Sequence, residues 1–136
     1  MVTNTLNGIW VAMGFMRWPL AFSLLAVVLL SMYSIGRLYR PSASADLLTK
    51  AWLDAVLFWG GFAMIAGFLG TVVGVVIAAQ SIEAAGAVNA TLVWGGIKVA
   101  MLTSAFGTLI LGISALSWFG LQLRWRILDA MEAREL

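Results

Sequence analysis

Three long stretches of this chain hold no acidic residue and are apolar almost throughout. They run over about residues 18–36, 55–79 and 92–122. An α-helix needs about 20 such residues to cross a hydrocarbon core of about 30 Å. Inside lipid each backbone N–H and C=O must find its partner within the protein, and a single segment of this length does that only as a helix. The expected fold is therefore all-α: an integral membrane protein with three transmembrane helices, forming a single membrane domain over residues 1–136. Composition closes off the soluble alternative. The chain is 62% hydrophobic and 10% charged, whereas soluble domains carry about 25% charged residues.

The segments between the stretches carry the punctuation. Gly8 to Met16 is uncharged and aromatic. No basic run precedes it and no small-residue cleavage site follows, so it reads as a short N-terminal interfacial helix rather than a signal peptide. Arg17 and Trp18 then suit the membrane boundary, and Pro19 is tolerated in the first turn of a helix. The first connection spans Arg37 to Asp54, with a helix stop at Pro41-Ser42 and a new start at Ser44-Ala45-Asp46. The second spans Gln80 to Thr91 and carries only Glu83. The third stretch exceeds what a span needs, and Leu123, Ile127, Leu128 and Met131 beyond it keep helical spacing. That spacing predicts a third helix running unbroken into the tail.

Lys and Arg set the orientation. The first connection holds Arg37, Arg40 and Lys50, and the tail holds Arg124, Arg126 and Arg134. Three spans put both on one side, so the first connection and the C-terminus face the cytoplasm and the N-terminus faces out. Arg17 and Lys98 run against this bias. Lys98 lies just inside the third span, where its ammonium snorkels outward or meets an acidic partner. Arg17, Trp18, Arg37, Arg124, Trp125 and Arg126 are the expected anchors to interface and lipid.

Several chemistries are poorly supplied. The chain has no His and no Cys, so the commonest general base, the commonest metal ligand and the thiolate are missing. No metal site, no cofactor and no enzymatic reaction is expected. A net charge of +2, scattered along the chain, makes no nucleic-acid footprint. All six acidic residues (Asp46, Asp54, Glu83, Asp129, Glu132, Glu135) lie outside the three stretches. A charge at the centre of a span costs about 3 kcal/mol or more, and the chain has no carboxylate of its own there to relay a proton.

What the second and third stretches do hold is small and hydroxyl-bearing residues at helical spacing. Gly60, Gly67, Thr71, Gly74 and Ala78 fall on one face of the second, with the pair Gly70 and Gly74 four apart. Ala100, Ser104, Thr108, Leu111 and Ala115 make a similar stripe on the third, with Thr103 and Gly107 beside it. Two readings compete. Small residues let helices approach closely, Gly67, Gly70, Gly74 and Gly107 being the packing candidates. On that reading the hydroxyls bond a carbonyl one turn back in their own helix. On the other reading Thr71, Ser104 and Thr108 line a narrow polar path, since a hydroxyl both donates and accepts.

At these residues the chain resembles a known family. Gly67-Phe-Leu-Gly-Thr71-Val-Val-Gly74 looks like the GLxGTVxG motif of the MotA/TolQ/ExbB proton channel family. Gly96-Ile-Lys-Val-Ala-Met-Leu-Thr-Ser104-Ala-Phe-Gly107 is similar to that family's GIxxALxTTAxGL motif. Arg17-Trp-Pro19-Leu, leading into an apolar run that ends at Arg37, resembles its first span. The resemblance implies a homo-oligomeric ring, commonly a pentamer, in a bacterial inner membrane. It also implies a single-span partner like ExbD, TolR or MotB, whose membrane Asp takes up and releases protons. Thr71 then matches the pore threonine of the second helix and Ser104 that of the third.

The departures from the pattern are specific. Ser104 replaces a Thr, Val99 stands where a Glu is usual, and Ile113 where many members have Pro. The large cytoplasmic domain between the first two spans is missing. Two functions follow. One is a ring-forming subunit of a proton-channel or stator-type complex that uses the proton motive force with its partner. The alternative is a non-conducting scaffold subunit of a larger membrane complex, built on the same ring and in contact with membrane lipids.

Overall fold

The computed structural model describes residues 7–11, 13–40, 45–86 and 90–135. Three helices make up nearly all of it: α1 over Arg17–Leu38, α2 over Leu47–Ala85 and α3 over Ala90–Glu135. Each is long and apolar enough to cross a membrane. The protein is a multi-pass membrane protein.

The helix boundaries follow local chemistry. Pro19 sits in the first turn of α1, where its missing N–H leaves no carbonyl unpaired. α1 ends at Tyr39, and Asp46, in extended conformation, precedes α2. The connection is thus residues 39–46, much shorter than the Arg37–Asp54 stretch expected from charge. The expected stop at Pro41-Ser42 and Ser44 of the expected start lie outside the described residues; Asp46, the last residue of that start, directly precedes α2. At its far end α2 stops at Gly86, whose φ of 65° is left-handed and costs glycine nothing. α3 then runs from Ala90 to Glu135 as a single helix.

At about 1.5 Å per residue, α2 and α3 are about 58 and 69 Å long. Both exceed the 40–45 Å or so of a whole bilayer, so they project from it as a helical hairpin. Most of the seam of that hairpin keeps strict register. Residues Thr49, Leu53, Val56, Gly60, Ala63, Gly67, Gly70 and Gly74 of α2 are buried, alternating at four and three apart. On α3 the buried set is Ala100, Thr103, Gly107, Ile110, Ser114 and Leu121, with Gln122 beside the last. This is the heptad spacing of a left-handed antiparallel pair. Gly60 faces Ser114, Gly67 faces Gly107, Gly74 faces Ala100 and Gly96 faces Ala78.

That pairing corrects the stripe expected on α3. The face that meets α2 runs through Thr103, Gly107 and Ser114 rather than through Ser104, Thr108 and Ala115. A four-and-three alternation tracks a supercoiled seam, whereas the line through Ser104 and Thr108 drifts off it. The contact is close because glycine backbone meets backbone. A Cβ on Gly67 would sit 2.6 Å from Thr103 O, and one on Gly107 would sit 2.6 Å from Ala63 O.

The arrangement inverts that of a soluble bundle. Small residues and hydroxyls share the interior with a few Leu, Val and Ile side chains, while Phe22, Leu25, Phe58, Ile65, Phe68, Met101 and Leu116 are exposed. In water such a surface would aggregate; in lipid the packing gain lies between small residues instead.

α1 lies against both helices of the hairpin. Leu20 and Val27 join Val56, Ala63, Ala66 and Ile110 in one cluster, and Leu38 joins Leu53 and Leu121 in another. Residues 7–11 are helical and Gly14–Met16 form one 3₁₀ turn. Met13 is buried, and Ile9 packs on the same cluster as Leu20. This segment therefore has a protein-facing side as well as the exposed Trp10, Val11 and Phe15.

At the connection end, the first turns of α2 and the tail of α3 are tied together. Trp118 Nε1 donates to Asp54 Oδ1 at 3.1 Å and Trp125 Nε1 to Asp46 O at 3.4 Å. Ala45 N donates to Glu132 Oε1 at 3.0 Å. These contacts continue the hairpin past the apolar part of α2.

Candidate functional site

The three hydroxyl residues singled out in the sequence come together on one open face of the α2–α3 pair. Thr71, Ser104 and Thr108, with Met101, Ala105 and Leu109, line a groove of about 580 Å³. It follows from the seam. Turning the contact face of α3 onto Thr103 and Gly107 leaves the next residues, Ser104 and Thr108, beside the seam on its edge. Thr71 reaches the same edge from α2.

The hydrogen bonds set what each hydroxyl has left to offer. Thr71 Oγ1 lies 2.9 Å from Ala100 O across the seam and 3.2 Å from Gly67 O one turn back. Its single proton goes to one of these carbonyls, and its lone pairs stay available. Thr108 Oγ1 donates to Ser104 O at 2.9 Å, again leaving lone pairs. No hydrogen bond of the Ser104 hydroxyl is found among the described residues. Ser104 is half-buried and Thr108 exposed. The groove thus presents two acceptors and one uncommitted hydroxyl. None of its lining residues titrates.

Thr103, which the sequence placed only beside the stripe, is buried in the seam. Its Oγ1 lies 3.0 Å from Ala100 O and 3.3 Å from Val99 O. Ala100 O therefore lies within hydrogen-bonding distance of hydroxyls on both α2 and α3. The nearest cation along α3, Lys98, is exposed and lies between Gly96 and Ala100, which face Ala78 and Gly74. Twenty residues counted from Asp54 end near residue 74, so Lys98 sits at about the membrane boundary.

Other hydroxyls escaped the sequence reading. Ser114 is fully buried and donates to Val56 O. On α1, Ser23, Ser31 and Ser34 are buried, and among the described residues their oxygens have no hydrogen-bond partner. The available signal was three small polar side chains in a helix of otherwise bulky apolar ones.

The expected anchors are engaged with the protein as well. Arg17 stacks over Trp10 and Trp18, at 5.9 and 5.6 Å. Arg37 reaches Asp46 at 4.0 Å. Arg124 lies over Tyr39, and Lys50 over Trp125. Arg126 is exposed.

A family model, the MotA/TolQ/ExbB proton channel family, matches residues 43–128. The chain belongs to the MotA/TolQ/ExbB proton channel family. The match takes in the whole of α2 and most of α3, including both motifs, and leaves α1 outside. No curated protein and no solved structure matches the chain. Membership places it among proton-channel-type membrane subunits, which generally work with single-span partners in oligomeric complexes.

Proposed function

We propose that this protein is a ring-forming subunit, in a pentamer, of a bacterial inner-membrane complex that uses the proton motive force. Its partner is a single-span protein with a membrane carboxyl group. The observation that carries this reading is the groove itself. It gathers Thr71, Ser104 and Thr108 on an open face, and none of its lining residues carries a titrating group. A neutral carboxyl group from the partner donates its O–H to the lone pairs of Thr71 or Thr108. The ionised form instead accepts the free hydroxyl of Ser104. The groove thereby holds both protonation states in turn while the proton moves on the partner.

The test replaces Thr71 by Val, by Ser, or not at all, and measures partner-dependent proton uptake into vesicles. Thr71→Val lowers uptake at least tenfold and Thr71→Ser retains it, at unchanged helix content. Equal uptake by Thr71→Val and the wild type would remove the pore role.

The scaffold reading has its own support. Thr108 donates to its own helix, as it would with nothing to transport. The short connection over residues 39–46 leaves no cytoplasmic domain between α1 and α2. A purified particle with lipid in its centre and no partner helix favours that reading.

A further inference from the structure

Away from the hydroxyl groove, the N-terminal segment, α1 and α3 enclose an apolar cavity of about 320 Å³. That is at the small end of ligand-sized sites, about 300–1,000 Å³. Met13, Leu20, Ala21, Leu24, Phe106 and Ile110 supply its apolar wall, and Arg17 stands at one end of it. From Arg17 the wall continues seven residues along α1 to Leu24, or about 10 Å into the span.

Arg17 is the second, independent observation. Its Nε–H is enclosed, and among the described residues the guanidinium makes no hydrogen bond. Its guanidinium is held over two indole rings rather than a carboxylate. The chain has no acidic residue before Asp46, and among the described residues no carboxylate pairs with Arg17. A guanidinium at the edge of lipid, with no carboxylate beside it, lacks a charged acceptor, and an anion reaching its terminal nitrogens suits it best. Trp10 and Trp18 beside it are the side chains that settle at the headgroup level.

We infer that this cavity is a binding site for one anionic phospholipid, its phosphate on Arg17 and an acyl chain along Leu20, Leu24, Phe106 and Ile110. A free phosphate would satisfy Arg17 but leave the apolar wall empty; an uncharged lipid would do the reverse. The site joins the N-terminal segment to α1 and α3. It does not depend on the transport reading.

The experiment uses the full-length protein, stripped of lipid in detergent and titrated with phosphatidylglycerol, with diacylglycerol of the same chains, and with inorganic phosphate. Native mass spectrometry counts the molecules bound per protomer. The wild type takes one phosphatidylglycerol, about tenfold more tightly than diacylglycerol, and retains no inorganic phosphate. Arg17→Gln removes that tenfold preference, and Arg134→Gln, at the far tail, leaves it intact. Ala21→Trp fills the cavity and abolishes both lipids; Leu24→Trp, on its exposed rim, serves if Ala21→Trp does not fold. The inference is overturned if Arg17→Gln keeps the preference. It is equally overturned if the filled variants bind as before, or if the wild type shows no preference because a second copy covers the cavity.

Discussion

Replacing Gly107 by Ala should pry the α2–α3 seam apart. A Cβ there lands 2.6 Å from Ala63 O, 3.1 Å from Gly67 Cα and 3.3 Å from Met64 Cα, all backbone atoms that no rotamer change can move. Ordinary contact begins near 3.4 Å, so the helices must separate by about 0.8 Å. The same shift stretches the Thr71–Ala100 bond from 2.9 Å to about 3.7 Å, beyond useful range. Overpacking costs about 1–3 kcal/mol, and each interhelical bond in lipid is worth about 0.6 kcal/mol. Alanine returns about 0.8–1.0 kcal/mol in helix propensity. The net loss is about 0.6–2.8 kcal/mol. Gly61→Ala is the control: nothing lies within 4 Å of its Cβ position, so it collects the propensity gain of up to about 1 kcal/mol alone. Unfolding by dodecyl sulfate in mixed micelles, followed by far-ultraviolet circular dichroism, then separates the two unfolding constants by about 15- to 400-fold. If Gly107→Ala proves as stable as Gly61→Ala, the backbone-to-backbone seam is wrong.

Two further experiments probe the ends of the hairpin. A double-mutant cycle of Trp118→Phe with Asp54→Ala should return a coupling of about 0.5–1 kcal/mol in the same titration, from the indole bond to the carboxylate; zero coupling denies that contact. Gly86→Ala should lose about 1–2 kcal/mol, the cost of an L-residue in a left-handed conformation, and an unchanged midpoint means the turn is built differently.

The membrane spans were legible because lipid excludes charge, and charge is easy to see in a sequence. Which face of each span packs was harder. In a helix that is apolar all round, hydrophobic periodicity vanishes, and the seam is marked only by residue size. On α2 the glycines Gly60, Gly67 and Gly74 pointed at it directly. On α3 the hydroxyls Ser104 and Thr108 drew attention to the neighbouring line, although Gly107 belonged to the seam. Bounding the first connection by the apolar span takes Leu47–Asp54 into it, although Ser44-Ala45-Asp46 marks a helix start just before. In the fold Thr49 and Leu53 extend the heptad, and Lys50 and Asp54 meet Trp125 and Trp118. Likewise Gly8–Met16 looked like a surface segment, since nothing in its sequence distinguishes an apolar face turned to lipid from one turned to Leu20 and Ile110.

The site was legible as a set of residue types and not as a set of bonds. Thr71, Ser104 and Thr108 stood out as hydroxyls in lipid. That the Thr71 hydroxyl reaches Ala100 O across the seam, while Ser104 keeps its proton free, depends on helix rotation that spacing alone does not give.

The proposed function requires the Thr71–Ser104–Thr108 groove to face the central axis of the ring, where polar groups reach it, rather than the lipid. The chain has no cysteine, so a single Ser104→Cys variant in membrane vesicles can be exposed to a charged, water-soluble thiosulfonate reagent. It is compared with Leu29→Cys on the exposed side of α1. Ser104→Cys should be modified rapidly and Leu29→Cys should resist; a protected Ser104→Cys, as slow to react as Leu29→Cys, would contradict the account.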